Sequence, residues 1–457
     1  MTQTVDIAYW QFWLLIAFAA VTFASHFLFP SVRWFFRKRF ERAVDRLNTR
    51  LVRPIEPFKL MRRSDNINRL LYSPQVMEAV VEHAAKEGVR EDVAFEKARR
   101  YAREIVPGFS TATYYGFAMR AARWLTQALY RVEIAPSHPA LENVDPEATV
   151  VFVINHRSNM DYVLVTWLVS KDTTLSYAVG EWARVRPLRW LIRATGAYFI
   201  RRRNLNPLYR GVLARYVQMA RDGGVTQAIF PEGGLSRDGK VGPPKLGLLS
   251  YLVDGVEADG QRDVVFVPVG LNYDRVFEDR NLVAMQTQGR FRRTWARVIW
   301  AVLPELWPIL TRRQRFGQAA VRFGAPVSLR AHLRAGGDVA GLGEALMADV
   351  RRIVPVLPVP LVADILLNAG GTMPLADLEE AFATARTARG SKSALASASA
   401  ADGIKVLRRR GLVQVRADVV HVAPEARDVL RYYANSLPET SCLAKAGNFD
   451  AIVERAT

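Results

Sequence analysis

Residues 149–165 read TVVFVINHRSNMDYVLV. The first six are all β-branched or aromatic and carry no charge, the pattern of a strand buried on both faces. A polar turn, Asn155-His156-Arg157-Ser158, ends that run, and the apolar stretch DYVLVTWLVSK then reads as a helix. The same rhythm extends from Ala148 to about Arg330: LSYAVG, AYFI, TQAIF and VVFVPVGL read as short strands, with LYRGVLARYVQMARDG as a further helix between them. Strands alternating with helices predict an α/β fold with a mixed, partly parallel sheet flanked by helices, in which functional groups collect at the carboxyl ends of the strands.

Upstream, residues 64–135 carry apolar side chains at three and four spacing (VMEAVVEHAAKEG, VAFEKARRYAREI, YYGFAMRAARWLTQALY) and predict a helical region ahead of the α/β domain, which is placed at 136–352. Residues 353–457 shift again. LVADILLNAG, LADLEEAFATA and GIKVLRRRG read as helices, LVQVRADVVHV alternates like a hairpin, and EARDVLRYYANSL closes with a helix, so this C-terminal region is expected to be winged-helix-like. SKSALASASAADG within it reads as a flexible loop. At the other end, Tyr9 to Phe29 contains no Lys, Arg, Asp or Glu and approaches the ~20 residues that span hydrocarbon. The strongly basic stretch SVRWFFRKRFERAVDRLNTRLVR follows it, which predicts a membrane anchor and basic juxtamembrane segment over 1–63, with the body of the chain on the cytoplasmic face. A second aromatic stretch, Arg293 to Arg315, reads as a buried helix pair around Pro304, with membrane insertion as its alternative.

The 457 residues carry a formal net charge of +19, which favours an anionic partner: lipid, phosphorylated substrate or nucleic acid. Cys442 is the sole cysteine, so the sequence offers no disulfide framework and no zinc ligand cluster. No metal or cofactor is implied.

The chemistry concentrates in the turn after the first buried strand. Five positions separate His156 from Asp161, which places them on different faces of a continuous helix, so His156 must sit in the turn for Asp161 to reach its imidazole. A carboxylate on one ring nitrogen fixes the tautomer and leaves the other nitrogen to accept a proton. The structural alternative is a capping box, Ser158 to Asp161, with Asp161 serving helix-start amides. Three further stretches end predicted strands: GAYFIRRR (196–203), FPEGGLSRDG (230–239) and VPVGLNYDRV (267–276). Glycines that let backbone amides approach, beside Arg201, Arg202 and Arg237, are what a phosphate requires. Each alone also reads as a turn or a solvated charge run.

Together these motifs resemble the glycerol-3-phosphate 1-O-acyltransferases of the wider glycerolipid acyltransferase superfamily. His156-Arg157-Ser158-Asn159-Met160-Asp161 matches the HxxxxD block, Gly196 to Arg202 the GxxFIRR block, and Glu232-Gly233-Gly234 with Ser236-Arg237 the third. Val267-Pro268-Val269, continuing to Tyr273-Asp274-Arg275, matches the fourth. Pro244-Lys245-Leu246-Gly247 also resembles the family, and outside the core ARRYAREI and LRYYANSL resemble its flanking regions. One position departs: the third block usually has an arginine where this chain has Leu235.

The resemblance implies catalysis by His156 and Asp161, with substrate held by Arg157, Ser158, Phe199, Arg201, Arg202, Glu232, Gly233, Ser236, Arg237, Lys245 and Pro268. The implied reaction is transfer of a fatty acyl group from coenzyme A or acyl carrier protein to the sn-1 hydroxyl of glycerol 3-phosphate. Lysophosphatidate or dihydroxyacetone phosphate is the alternative acceptor, since Asn155-His156 and Phe230-Pro231-Glu232-Gly233 also occur in the lysophosphatidate branch. A different class of function is nucleic-acid binding through Lys405, Arg408, Arg409 and Arg410 of the C-terminal region. A lipid surface accounts for the same charge. A serine hydrolase is disfavoured because neither Ser158 nor Ser236 lies in a GxSxG elbow.

Overall fold

The strand foreseen at 149–154 forms β2 (Thr149–Ile154), with all six residues buried. Val150, Phe152 and Ile154 join one apolar cluster while Val151 and Val153 join another. Alternate side chains thus enter separate cores, as they do when helices cover both faces of a sheet. Burying these five side chains contributes roughly 10 kcal/mol before chain entropy offsets it. The computed structural model describes residues 8–23, 39, 42–134, 141–142, 144–180, 188–201, 205–257, 260, 262–288, 316–388 and 398–438. They belong to two compact units, Met1–Ile55 and Glu56–Thr457.

In the second unit the main sheet also contains β1 (Arg131–Ile134), β3 (Ser176–Val179), β4 (Tyr198–Phe199), β5 (Gln227–Ile229), β6 (Val264–Tyr273), β7 (Gln318–Phe323) and β8 (Val327–Ser328). Its order is β1-β7-β6-β2-β5-β3-β4, with β8 pairing β6. The five strands from β6 to β4 run parallel, whereas β7 and β8 lie antiparallel to β6. The mixed, partly parallel sheet expected from the sequence is therefore observed. The carboxyl ends of β2, β5, β3 and β4 share one edge, and the turns carrying His156, Glu232 and Arg201 all leave from it.

The helices Arg63–Leu71, Pro74–Glu87 and Glu91–Ile105 of the upstream region pack with Pro207–Asp222, Gly247–Val253 and Val339–Ile353 against one face of the sheet. The other face is covered by Met119–Leu129, Met160–Val169 and the C-terminal helices. A seven-residue π-helix, Ala112–Ala118, precedes Met119–Leu129 and was not foreseen.

The C-terminal region runs as helix Pro358–Asn368, β9 (Thr372–Pro374), helices Leu375–Ala388 and Ala400–Arg409, then β10 (Val413–Arg416), β11 (Val419–Val422) and helix Arg427–Ala434. β10, β11 and β9 form an antiparallel sheet in that order. Ala417 (φ 46°) and Asp418 (φ 58°) make the two-residue hairpin turn, whose twist demands positive φ. The end of the expected Ser/Ala-rich loop is instead helical from Ala400, because Ser399 and Asp402 form a reciprocal capping box; 389–397 lie outside the described residues.

In the first unit the helix Tyr9–Phe23 has 15 residues, about 22 Å at the usual rise against the ~30 Å of a hydrocarbon core. Among the described residues no helix is long and apolar enough to cross a membrane, and 24–29 of the spanning helix expected over Tyr9 to Phe29 lie outside them. The Arg293 to Arg315 stretch, Arg202 and Cys442 also lie outside the described residues.

The C-terminal region is joined at close quarters to the loop that follows β5. Gly239 has φ +91°, and a Cβ there would stand 1.8 Å from the Tyr432 carbonyl oxygen. Asn435 Nδ2 donates to the Asp238 carbonyl (2.8 Å), and Asn272 Nδ2 donates to Ser436 Oγ (3.0 Å) and the Pro355 carbonyl (3.0 Å). Gly239→Ala should consequently lower the midpoint of thermal unfolding or split the transition in two. Gly247→Ala, in a helix with nothing within 4 Å of the new methyl, should be neutral or raise stability by about 0.5–1 kcal/mol. Calorimetry on the pair checks this, and equal effects would contradict the close approach.

Candidate active site

Asn155 begins the turn after β2 by pairing with β6 through its side chain. Its Nδ2 donates to the Leu271 carbonyl (3.0 Å), and its Oδ1 accepts from the Leu271 amide (2.9 Å). The amide group thus satisfies two buried backbone groups that the ended strand cannot. His156 follows, 2% exposed, with its Nδ1 2.9 Å from Asp161 Oδ2. The same Oδ2 accepts from the amides of Arg157 (2.7 Å) and Ser158 (3.0 Å), while Oδ1 accepts from the Tyr273 hydroxyl (2.8 Å). Four donors converge on one fully buried carboxylate, so its charge is matched by hydrogen bonds. The two sequence readings of Asp161 are therefore compatible: the same oxygen orients the imidazole and gathers turn amides, although Ser158 makes no capping box with it.

With Nδ1 directed at Asp161, Nε2 is the free position of the ring. It lies 3.3 Å from the Tyr162 hydroxyl, and the ring packs against Phe230 with centroids 4.3 Å apart. Tyr162 in turn stacks on Tyr177 at 4.9 Å. An aromatic wall thus confines the imidazole and shows that a hydroxyl fits at Nε2.

The loop after β5 closes the turn from the other side. Glu232 Oε1 accepts from the His156 amide (2.8 Å) and Oε2 from the Gly242 amide (3.2 Å). The Ser236 amide donates to the His156 carbonyl (2.8 Å). Burial pushes the Glu232 carboxyl up to about 7 against the pull of its two amide donors and Arg157. Ser236 Oγ donates to the Lys240 carbonyl (2.7 Å) and accepts from the Gly239 amide (3.0 Å), so it shapes the loop. Gly233 has φ +68°, and a Cβ there would meet Lys245 Cδ at 2.8 Å. Arg237, Lys240 and Lys245 are exposed on this loop, and no salt bridge among the described residues engages them. They give this loop, whose Ser236 amide meets the His156 carbonyl, an exposed cationic rim. Leu235, at the departing position, packs against the apolar cluster under the loop.

Other residues named from the sequence lie elsewhere. Arg157 turns inward: 1% exposed, it donates from Nη1 to the Gly239 carbonyl (2.5 Å) and sets its guanidinium 4.6 Å from the centre of the Tyr432 ring. Ser158 Oγ donates to Glu278 Oε2 (2.8 Å). Arg201 makes a bidentate pair with Glu104, Nε to Oε1 at 2.9 Å and Nη2 to Oε2 at 2.7 Å, between the Tyr101 and Tyr209 rings. Phe199 ends β4 beneath the Arg193 guanidinium, and Pro268 is a buried β6 residue in register with Val153. The structure thus gathers His156, Asp161, Glu232, Gly233, Ser236, Arg237 and Lys245 around one turn, while Arg201, Phe199 and Pro268 stand apart.

Sequence reasoning missed two supports. Tyr273 lay inside a motif that was already noticed, yet nothing local revealed that its hydroxyl meets Asp161. Glu278 carried no signal; its Oε1 accepts from the Asn159 amide (3.2 Å) and side chain (2.9 Å), and burial raises its pKa despite these donors.

Comparison with known proteins matches the acyltransferase family model over residues 138–272 and that of the glycerol-3-phosphate acyltransferase C-terminal region over 306–438. The glycerol-3-phosphate acyltransferase of Pseudomonas syringae pv. syringae (strain B728a) is 31% identical over 267 residues, 58% of this chain and 31% of that protein. The protein of the same name from Pseudomonas putida (strain KT2440) is 28% identical over 324 residues, 66% of this chain and 38% of that one. The chain thus spans about a third of the length of the curated relatives it matches. A crystal structure of the 1-acyl-sn-glycerophosphate acyltransferase from Thermotoga maritima is 22% identical, with TM-score 0.31 over 51% of this chain and 76% of that one.

The raised Glu232 pKa has a measurable sign. The native state holds this proton more tightly than the unfolded chain, so the contribution to stability is full below about 4.5 and is lost as pH rises to about 7. Asp274, buried and also pushed up to about 7, adds a slope of the same sign. Glu232→Gln should flatten part of the fall in unfolding free energy across this window, and the double change with Asp274→Asn most of it. Denaturant titrations at pH 5 and 7.5 measure this; an unchanged slope in both variants would contradict the burial argument.

Tyr273→Phe should leave the fold intact, costing about 1–3 kcal/mol for the unmatched carboxylate oxygen, and should reduce turnover without moving substrate KM. Steady-state kinetics with a thermal melt separates the two effects.

Proposed function

We propose that this chain, which matches the acyltransferase model and that of the glycerol-3-phosphate acyltransferase C-terminal region, acts as a glycerol-3-phosphate acyltransferase, transferring a fatty acyl group from a thioester donor to the sn-1 hydroxyl of glycerol 3-phosphate to form lysophosphatidate. The observation that carries this reading is the His156–Asp161 pair, buried and oriented so that Nε2 alone is free to take a proton.

In this mechanism the acceptor hydroxyl takes the place beside Nε2 that the Tyr162 hydroxyl occupies here. His156 removes its proton as the oxygen attacks the thioester carbonyl, and Asp161 stabilises the imidazolium. Collapse of the tetrahedral intermediate breaks the carbon–sulfur bond and forms the ester. The imidazolium returns its proton to the departing thiolate, so no acyl-enzyme is needed. Arg237, Lys240 and Lys245, on the loop whose Ser236 amide bonds the His156 carbonyl, supply charge for the acceptor phosphate. Leu235 leaves that rim without one arginine of the family pattern.

Membrane association is part of the proposal. The helix Tyr9–Phe23 has no charged residue and exposes Tyr9, Trp10, Trp13 and Phe18, and a basic stretch follows in sequence. Such a pairing favours an anionic lipid surface, with the catalytic unit on the cytoplasmic side.

The helix, strand, helix, helix, hairpin order after Pro358 supports the winged-helix-like reading of the C-terminal region. One residue named for nucleic-acid contact is turned inward: Arg410 pairs with Asp279 at 2.5 Å and bonds the Tyr433 hydroxyl at 3.1 Å. This favours a docking role over nucleic-acid recognition.

His156→Ala should reduce acyl transfer at least about a hundredfold, the lower range for loss of a general base, while the melt stays within a few degrees of the parent. Membranes carrying the protein, offered labelled glycerol 3-phosphate, dihydroxyacetone phosphate and lysophosphatidate with an acyl-CoA, should acylate the first fastest. Preference for lysophosphatidate would overturn the acceptor assignment.

A further inference from the structure

A cavity of about 260 Å³ opens beyond the carboxyl end of β4, lined by Arg100, Arg103, Glu104, Arg189, Arg193 and Phe199. Four of these side chains are arginines on two facing helices, Glu91–Ile105 and Leu188–Ala194. The carboxylate among them, Glu104, already has both oxygens bonded to Arg201. No salt bridge among the described residues involves Arg100, Arg103 or Arg189. Arg193 is held in place, with Nη2 donating to the carbonyls of Arg103 (3.1 Å) and Glu104 (3.0 Å) and its guanidinium over the Phe199 ring. Just outside, Arg63 is fixed on the Val106 carbonyl (2.9 Å), and burial followed by the charges of Arg189 and Arg103 lowers its pKa. The cavity is a concentration of positive charge whose internal counter-charge is already engaged.

Its position decides which anion it suits. β4 is three strand steps from β2, through β5 and β3, and at ~4.8 Å per step the two strand ends stand about 14 Å apart. Glycerol 3-phosphate with its hydroxyl at His156 is too short for its phosphate to reach there, and the rim of Arg237, Lys240 and Lys245 already lies on the nearer loop. A coenzyme A thioester is different, because its pantetheine arm separates the reacting carbonyl from a diphosphate and a ribose phosphate.

We propose that this arginine-lined cavity binds the phosphate-bearing end of the acyl-CoA donor, with the arm running along the carboxyl edge of the sheet from β4 to β2. The proposal rests on the acyltransferase reading above. Arg100, Arg103 and Arg189 are the positions that supply unpaired guanidinium groups, and Arg193 is the preorganised wall.

Binding of coenzyme A and of pantetheine, which lacks the phosphates, to the full-length protein tests this by calorimetry without requiring turnover. The parent should bind coenzyme A well above pantetheine, and Arg103→Ala or Arg189→Ala should each weaken coenzyme A by about ten- to hundredfold while leaving pantetheine unchanged. Arg100→Ala, at an exposed position, gives the same reading if either of the others disturbs the fold. In kinetics the KM for acyl-CoA should rise and that for glycerol 3-phosphate should hold. Unaltered coenzyme A affinity in all three variants overturns the proposal, and so does a rise confined to the KM for glycerol 3-phosphate, which would give the cavity to the acceptor. Arginine-dependent coenzyme A binding without acyl transfer to any acceptor would sustain the cavity and sink the reaction assignment instead.

Discussion

One carboxylate organises the turn at the carboxyl end of β2. Asp161, at a helix start, takes bonds from an imidazole, two successive backbone amides and a tyrosine hydroxyl, and these donors come from the turn before the helix and the far end of β6. A buried charge is tolerable only when its lone pairs are met, so the turn, the helix and β6 must arrive together. His156 inherits its orientation from that requirement. Glu232 and Glu278 repeat the device from two other loops, each accepting amides of the same turn. The result is a short polar segment, with few regular backbone bonds of its own, held rigid by three acidic side chains.

Much of the scaffold was legible in the chain because it rests on local periodicity. The uncharged run at 149–154 and the β-rich stretches after it became parallel strands, and the three-and-four spacing upstream became helices on one face of the sheet. What was not legible depends on register between distant segments. The π-helix at 112–118 differs from an α-helix by one residue per turn, which apolar spacing does not resolve. The Ser/Ala-rich stretch read as a loop because composition outweighed a capping box that only Ser399 and Asp402 betray.

The site was legible as motifs and less so as roles. His156 and Asp161 meet as their spacing requires, and Glu232 reaches the same turn. Arg157 and Arg201 were named as phosphate ligands from charge and resemblance, yet their side chains engage Tyr432 and Glu104. An arginine in a motif does not say which way it points; that depends on an aromatic ring or a carboxylate far away in sequence. The separation of the basic groups into a rim beside His156 and a second cluster beyond β4 likewise follows from strand order, which no single stretch encodes.

The clasp between the loop at 236–240 and the helix Arg427–Ala434 has a kinetic consequence. Asn435 meets Asp238 across 197 positions of sequence. Arg157, next to His156 in the turn after β2, lies against Tyr432. Closing so long a loop is entropically unfavourable until most of the intervening chain is ordered. The strand that leads into His156 precedes, by more than 250 positions, the hairpin and helix that complete its surroundings. The geometry of the His156 turn is thereby tied to completion of the unit, since Tyr432 packs on it, and Asn435 on the loop beside it, only once that helix is in place.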